Sequence, residues 1–199
     1  MPAAVPARSV SGPDGGDAPS LADAEPPIGL AIDVVHDAGD WGPLDAASNA
    51  VKTAAAALAA ELGITASEAC VALSSDAEVE RLNATYRGKQ ASTNVLSFPA
   101  GPAAEADDAV RSLGDLVLAA ETVTRESAEL GLPREDHLQH LVVHGLLHLL
   151  GYDHENDDEA ATMEALEVRI LARLGIDDPY AAAGEPLTSR REQPESPES

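Results

Sequence analysis

Cysteine, aromatic residues and long apolar runs are all scarce in this sequence of 199 residues. The single cysteine, Cys70, excludes an intramolecular disulfide and a zinc site built from several thiolates, so a transition metal would have to be bound by histidine. No apolar run approaches the roughly 18 residues that cross a bilayer, and the first residues lack the apolar segment of a secretion signal. These absences predict a cytoplasmic protein with no membrane partner.

Positive charge is scarce as well, with 12 Lys and Arg residues against 35 Asp and Glu residues and a formal net charge of -23. Such a balance excludes long-range electrostatic attraction of nucleic acid. It does not exclude a local phosphate site, because exposed charges are screened over about 8 Å at physiological salt. The hydrophobic content of 44% is ordinary for a globular chain that forms one compact domain.

Both ends of the chain lack periodic apolar residues. Residues 1–28 and 181–199 are rich in proline and in small or polar residues. They cannot bury enough apolar surface to offset the entropy that is lost on ordering. We therefore predict two disordered tails around one folded domain, residues 29–180.

Between the tails, apolar periodicity and turn residues predict strands interspersed with helices. The predicted strands are 28–37, 69–75, 93–99 and 113–119. The predicted helices are 46–62, 76–86, 121–130, 134–150 and 156–174. Ser75 and Glu78 form a capping box before the second helix, and a loop over 101–112 separates the last two strands. The pattern indicates an α/β (α+β) fold in which a small four-stranded mixed sheet packs on about five helices.

The stretch HGLLHLLGYDH, residues 144–154, has three histidines and a glycine at the spacing of metzincin zinc sites. His144 and His148 are four residues apart, so a helix presents both imidazoles on one face. Gly151 can end that helix in a left-handed conformation and turn the chain, so that His154 reaches the same ion. Three protein ligands leave a fourth position open, as in catalytic zinc sites. The pattern predicts one zinc ion per chain.

The helix that carries these histidines should be buried and central, because LVVHGLLHLL over 141–150 is apolar on nearly all sides. A core helix that merely contains histidines is the alternative interpretation, which three histidines at this spacing disfavour. His137 and His140 lie upstream on nearly the same face, and we interpret them as surface or supporting residues. His36 has no evident partner.

Gly145 stands where a metzincin protease carries its catalytic glutamate. Peptide hydrolysis of that kind therefore lacks its general base, although zinc alone lowers the pKa of bound water to about 7. Asp153 is the nearest carboxylate, and it could orient a ligand or serve the turn. The site suits a substrate whose charge the protein binds through other groups.

Basic residues are concentrated at Arg81, Arg87 and Lys89, within nine positions. Arg87 is best suited to bind a phosphate, because a guanidinium can bond two of its oxygens. The alternative is a solvated helix end at which cations offset the helix dipole. Aromatic residues near the two motifs could stack on exposed bases or pack in the core. These residues are Tyr86, Phe98 and Tyr152.

Four sequence blocks resemble, in their order, those of the YbeY family of bacterial rRNA maturation factors, which are single-strand endoribonucleases. The blocks are LNATYRGKQASTNVLSFP (82–99), LGDLVL (113–118), LVVHGLLHLLGYDH (141–154) and DDPY (177–180). The similarity covers about residues 28–180 and leaves both predicted tails outside. The histidine block with GYDH is highly specific.

The resemblance implies a hydrolase of RNA phosphodiester bonds with one Zn²⁺ per chain. His144, His148 and His154 would be the zinc ligands. Arg87 matches the family's catalytic-pocket arginine and would act there with His144. From its place in the basic concentration, we expect Lys89 to help to bind substrate. The implied partners are single-stranded rRNA and the ribosome or its small subunit, and no DNA. The implied work is maturation of the small-subunit rRNA 3′ end and ribosome quality control.

Two residues depart from a block that often reads GKDKPT in the family, because Gln90 replaces its acid and Ser92 its proline. If that acid positions substrate, activity or preference is altered here. Two other functions stay open. A metallopeptidase is favoured by the histidine spacing and opposed by Gly145, and a non-catalytic ribosome-assembly factor would use a structural zinc.

Overall fold

The computed structural model of the protein describes residues 29–101 and 110–181. The predicted disordered tails, apart from Ala181, lie outside the described residues, and so do residues 102–109 of the predicted loop.

Four strands and five helices follow one another along the described residues. The strands are β1 (Leu30–His36), β2 (Ser67–Ser74), β3 (Val95–Pro99) and β4 (Arg111–Ala119). The helices are α1 (Leu44–Leu62), α2 (Asp76–Arg87), α3 (Ala120–Leu130), α4 (Arg134–Leu149) and α5 (Asp157–Leu174). The predicted α/β fold with its small mixed sheet is confirmed.

The strands form one sheet in the order β1-β2-β4-β3. β1, β2 and β4 run parallel, and β3 pairs antiparallel with β4 at the edge. β2 begins at Ser67, two residues before its predicted start, because Ser67 pairs with both Leu30 and Arg111 on the neighbouring strands. Such pairing satisfies backbone polar groups whatever the side chain, so an apolar pattern does not reveal it.

α4 is the central helix and contacts α1, α3, α5, β3 and β4. Ten of its 16 residues are buried, so the predicted buried central helix is confirmed. Each fully buried leucine or valine stabilises the fold by roughly 1.5–3 kcal/mol. Rotation of the helix about its axis would expose these side chains, so their burial fixes its orientation. Across the described residues, no helix has both the length and the apolar character that crossing a membrane requires.

α2 is held at its beginning by its cap and by α3. The Ser75 hydroxyl oxygen accepts a hydrogen bond from Glu78 N (3.4 Å), as the capping box predicts. The Asp76 carboxylate accepts hydrogen bonds from Thr122 N (2.9 Å) and Thr122 Oγ1 (2.8 Å) at the start of α3. These contacts fix the position of α2, whose last residue is Arg87.

Gly114 of β4 lies where the backbone of β3 approaches it. Its φ is 121°, which residues with a side chain rarely adopt. An added Cβ would overlap the carbonyl oxygen of Phe98 and lie 2.6 Å from Ala100 N. Since Gly114 pairs with Pro99, the end of β3 depends on the absence of a side chain here.

We expect Gly114→Ala to lower the free energy of unfolding by about 3 kcal/mol or more, because a methyl group must displace the β3 backbone and the positive φ adds strain. Gly63→Ala is the matched control: Gly63 also has a positive φ, 65°, but its added Cβ meets nothing within 4 Å. Gly63→Ala should lower the free energy of unfolding by only about 1–2 kcal/mol. Urea unfolding measures this free energy for both variants, and equal decreases would contradict the role of the close approach at Gly114.

Candidate metal centre

The three histidines of the predicted zinc site meet at the end of α4. His144 and His148 lie one helical turn apart, and Gly151, with a φ of 92°, turns the chain after the helix. Asp153 Oδ1 accepts a hydrogen bond from His154 N (2.8 Å) within this turn. One potential ligand atom from each histidine lies within 4.8 Å of the other two. The structure thus brings together all three residues that the spacing singled out.

Hydrogen bonds determine which nitrogen of two of these rings carries the proton. His144 Nδ1 lies 2.8 Å from Glu167 Oε1, and His148 Nδ1 lies 3.0 Å from the carbonyl oxygen of Tyr152. A carboxylate and a carbonyl can only accept, so each Nδ1 must donate. Each neutral ring therefore has a lone pair on Nε2, and the two Nε2 atoms lie only 3.1 Å apart. Two lone pairs at this distance repel one another unless a cation lies beside them.

The cluster fits a metal ion in both chemistry and spacing. Two histidine nitrogens at about 2.0–2.1 Å from zinc, at a tetrahedral angle, are roughly 3.4 Å apart. The observed Nε2 separation of 3.1 Å between His144 and His148 is close to this value. Burial, together with the neighbouring His144 and His154, lowers the pKa of His148 and so favours the neutral form that binds metals. A metal ion could therefore be held by these residues.

Glu167 on α5 is a buried carboxylate with three donors around it. Its side chain is 1% exposed. It accepts hydrogen bonds from His144 Nδ1 (2.8 Å), from His140 Nε2 (2.9 Å) and from the Tyr180 hydroxyl. Burial raises the pKa of Glu167, but these hydrogen bonds outweigh burial and lower the pKa to about 2. Burial and the same carboxylate raise the pKa of Tyr180 well above its ordinary value.

Sequence reasoning missed Glu167, although one signal was present. Leu166 and Ile170 are buried, so Glu167 falls on the apolar side of its helix. A charged residue at such a position is costly without partners and therefore indicates donors nearby. Those donors are 13 to 27 residues away along the chain, which spacing alone does not reveal.

The remaining histidines lie outside the three-histidine cluster. His140 supports it through Glu167, in agreement with one of the two roles that we allowed. His137 is 5% exposed and its Nε2 lies 3.0 Å from Glu126 Oε2, so it is a buried residue and not a surface one. His36 does have a partner, since its Nε2 lies 2.8 Å from Ser48 Oγ.

A cleft of about 510 Å³ joins the histidine cluster to Arg87. Arg87 comes from the end of α2, and its Nη2 donates to the carbonyl oxygen of Ser97 on β3 (3.2 Å). Ser97 Oγ in turn donates to the carbonyl oxygen of Gly145 on α4 (3.3 Å). The edge strand therefore links the arginine to the helix that carries His144 and His148.

Several other residues of the first sequence block also line this cleft, among them Thr93, Asn94 and Ser97, but not all of the block's candidates do. Among the described residues that line it, Arg87 is the only Lys or Arg, and Lys89 is absent from the lining. Tyr86 is 68% exposed and packs edge-on against Phe98, with ring centroids 5.4 Å apart. Tyr152 lines the cleft and, through its carbonyl oxygen, holds His148.

Gly145 faces the sheet, whereas its neighbour His144 faces the cleft. An added Cβ would lie 2.9 Å from Leu116 Cδ2 and 3.3 Å from Val95 Cγ2. A glutamate here would therefore enter the core and not the cleft. Asp153, the other carboxylate that we considered, binds the backbone of the turn through Oδ1. The packing of α4 on the sheet therefore leaves little room for a glutamate side chain at position 145.

Comparisons with known proteins identify close relatives. A family model described as Endoribonuclease YbeY matches residues 42–175. A protein named Endoribonuclease YbeY from Sinorhizobium medicae is 48% identical over 159 residues, which cover 76% of this chain and 95% of that protein. One of the same name from Rhodopseudomonas palustris is 53% identical over 133 residues, covering 66% of this chain and 69% of that one. A solution structure from Thermotoga maritima aligns with 81% of this chain and 99% of its own, at 22% identity and a TM-score of 0.46.

We expect Gly145→Glu to lower the free energy of unfolding by about 4 kcal/mol or more, because it overpacks the core and buries a charge. Ala128→Glu, at an exposed position of α3, is the control and should change stability by no more than about 0.5 kcal/mol. Chemical denaturation measures both. A stable Gly145→Glu protein would show that this position is open to the cleft.

Zinc should stabilise the wild-type protein, by about 2.7 kcal/mol when free zinc is 100 times its dissociation constant. His148→Ala should fold without zinc but should not be stabilised by it, because the variant lacks one of the three clustered nitrogens. His36→Ala, outside the cluster, should be stabilised by zinc as much as wild type. Thermal unfolding with and without zinc, together with the number of ions bound per chain, measures the effect. A His148→Ala protein that does not fold would indicate a structural zinc instead.

Proposed function

The chain belongs to the YbeY endoribonuclease family, as its sequence blocks predicted, and we propose that it is a zinc-dependent endoribonuclease that cleaves single-stranded RNA in rRNA maturation. The observation that carries this proposal is the shared cleft of Arg87 and the three histidines. The relatives from the same family, which are named endoribonucleases, support RNA as the substrate.

We assign the three histidines to the metal. His144, His148 and His154 would hold one zinc ion per chain through their ring nitrogens. The bound ion would supply Lewis acidity at a phosphoryl oxygen and an activated water. The chain itself orients the rings, since Glu167 and the Tyr152 carbonyl fix the proton on Nδ1 of His144 and of His148.

Arg87 would bind the scissile phosphate. Its guanidinium has five N–H donors in a planar fork, and one interaction with Ser97 leaves others to face the cleft. A bidentate pair with two phosphate oxygens would hold the substrate beside the histidines and offset the charge that develops in the transition state. Because Lys89 does not line the cleft, we give it at most a role outside the pocket.

A single strand fits this cleft better than a duplex. Duplex RNA is recognised through several phosphates across neighbouring grooves, whereas the described lining offers one cationic side chain. A flexible strand can present one phosphodiester to a small cleft. Binding should accordingly depend weakly on salt, with a slope near -0.7 for each phosphate contact on a single strand.

The proposed biological role of the chain is taken from the YbeY family. We propose that the substrate is rRNA, in particular the 3′ end of small-subunit rRNA, and that the partner is the ribosome or its small subunit. A role in ribosome quality control and a cytoplasmic location belong to the same proposal. The resemblance of the sequence blocks to the family supports these points.

The geometry disfavours a peptidase. A metzincin-type peptidase needs a glutamate at position 145 in the cleft, and here that position packs on Leu116 and Val95. Cleavage of casein that a chelator abolishes would revive the peptidase.

We expect zinc-loaded wild type to cleave end-labelled single-stranded RNA and to leave duplex RNA intact. Arg87→Ala should cleave about 10²–10³ times more slowly, because it removes the donors for the phosphate. His148→Ala should be inactive. Arg81→Ala is the matched control, since Arg81 is on the same helix but pairs with Glu78, and it should retain activity.

Three results would change the proposal. Cleavage that survives a chelator indicates a contaminating nuclease or a metal-independent reaction. An equal decrease of the cleavage rate in Arg81→Ala and Arg87→Ala would mean that cleavage depends on the general charge of α2 and not on a phosphate site at Arg87. No cleavage by a wild type that binds one zinc would overturn nuclease activity on free RNA and leave either a ribosome-assembly factor or an enzyme that works only on the ribosome.

A further inference from the structure

Glu167 joins three parts of the chain beneath the histidine cluster. Its oxygens accept hydrogen bonds from two histidines of α4 and from Tyr180, beyond the end of α5. We propose that Glu167 is a positioning residue that orients His144 for the metal and strengthens it as a ligand. This inference rests on the metal site of the proposed function.

The location of Glu167 argues against a role in stability alone. Met163, Leu166, Ile170 and Leu171 around it on α5 are buried apolar residues. A buried charge has a large desolvation cost, and an apolar side chain of similar volume often stabilises a protein at least as well. A carboxylate that the fold does not need for packing suggests a function for the charge.

The two oxygens of Glu167 have different partners. Oε2 accepts from His140 Nε2 (2.9 Å) and from the Tyr180 hydroxyl, so two donors restrict rotation of the carboxylate. Oε1 is thereby held 2.8 Å from His144 Nδ1. The opposite nitrogen of that ring, Nε2, then lies 3.1 Å from His148 Nε2, on the side where the ion would bind.

A carboxylate affects a ligand histidine more strongly than a carbonyl does. The negative charge raises the basicity of the far nitrogen, and loss of such an outer partner typically weakens metal binding by about 10–100-fold. His148 has only the backbone carbonyl of Tyr152 at the same position. His144 should therefore be the ligand whose strength depends on a replaceable side chain.

A structural connection between helices is the alternative, and Glu61 provides a comparison. Glu61 on α1 bonds Arg169 (3.0 Å) and Arg173 (2.7 Å) on α5, without being part of the histidine cluster. Substituting a residue that only connects helices lowers the stability of the protein and leaves the metal affinity of the folded form unchanged. Substituting a positioning residue changes the metal affinity and the ligand field of the bound ion.

The test uses the full chain with Zn²⁺ and Co²⁺ as probes, well below the unfolding temperature. Competition with a chromophoric chelator gives the Zn²⁺ affinity, and visible absorption of bound Co²⁺ gives the ligand field. Glu167→Met should bind Zn²⁺ about 10–100-fold more weakly and shift the Co²⁺ bands. Glu167→Gln should lose less Zn²⁺ affinity than Glu167→Met, because an amide oxygen can still accept a hydrogen bond from His144. Glu61→Met should match wild type.

Tyr180→Phe keeps the charge of Glu167 and removes one donor to Oε2, so it covers the case in which Glu167→Met does not fold. It should weaken Zn²⁺ binding by less than Glu167→Met but measurably. Wild-type affinity and Co²⁺ bands in the folded Glu167 variants would overturn the inference and leave the nuclease proposal standing. A wild type that binds one Zn²⁺ but cleaves no RNA overturns the nuclease and leaves this inference; a wild type that binds no metal overturns both.

Discussion

The geometry of the site depends on the close approach of α4 to the sheet at Gly145. No side chain separates the helix from Leu116 and Val95 there, and Ser97 on β3 donates to the Gly145 carbonyl. Because most of the rest of α4 is buried against neighbouring helices, the helix cannot rotate to bring position 145 into the cleft. The same packing directs His144 and His148 outward and places the edge strand between them and Arg87.

Recognition of the proposed phosphodiester substrate would have to be local. The chain carries a formal net charge of -23, and Arg87 is the only Lys or Arg among the described residues of the cleft lining. With screening over about 8 Å at physiological salt, the distant acids have little effect on a phosphate that already contacts the guanidinium. Long-range attraction is absent, so specificity has to come from the shape of the cleft and from the histidine cluster.

Local signals predicted the elements of this fold, because caps, glycines and periodicity act over a few residues. The capping box at Ser75 and the turn at Gly151 are examples, and the histidine cluster followed from a repeat of four residues and a turn. What the sequence did not reveal depends on partners far along the chain. Glu167 is explained by donors up to 27 residues away, His36 by Ser48, and the anchor of Arg87 is a backbone carbonyl. Lys89 was expected to assist Arg87, and only the three-dimensional arrangement shows that it does not line the cleft.

The family match covers residues 42–175, whereas two features of the packed structure lie beyond it. β1, residues 30–36, pairs with β2 along its whole length, and Tyr180 bonds the carboxylate beneath the histidines. A chain trimmed to the matched segment would expose the open edge of β2, which invites pairing between molecules. It would also take away one of the donors around the buried glutamate. Whoever shortens this protein for expression or crystallisation should therefore place the ends by contacts, before residue 30 and after residue 180.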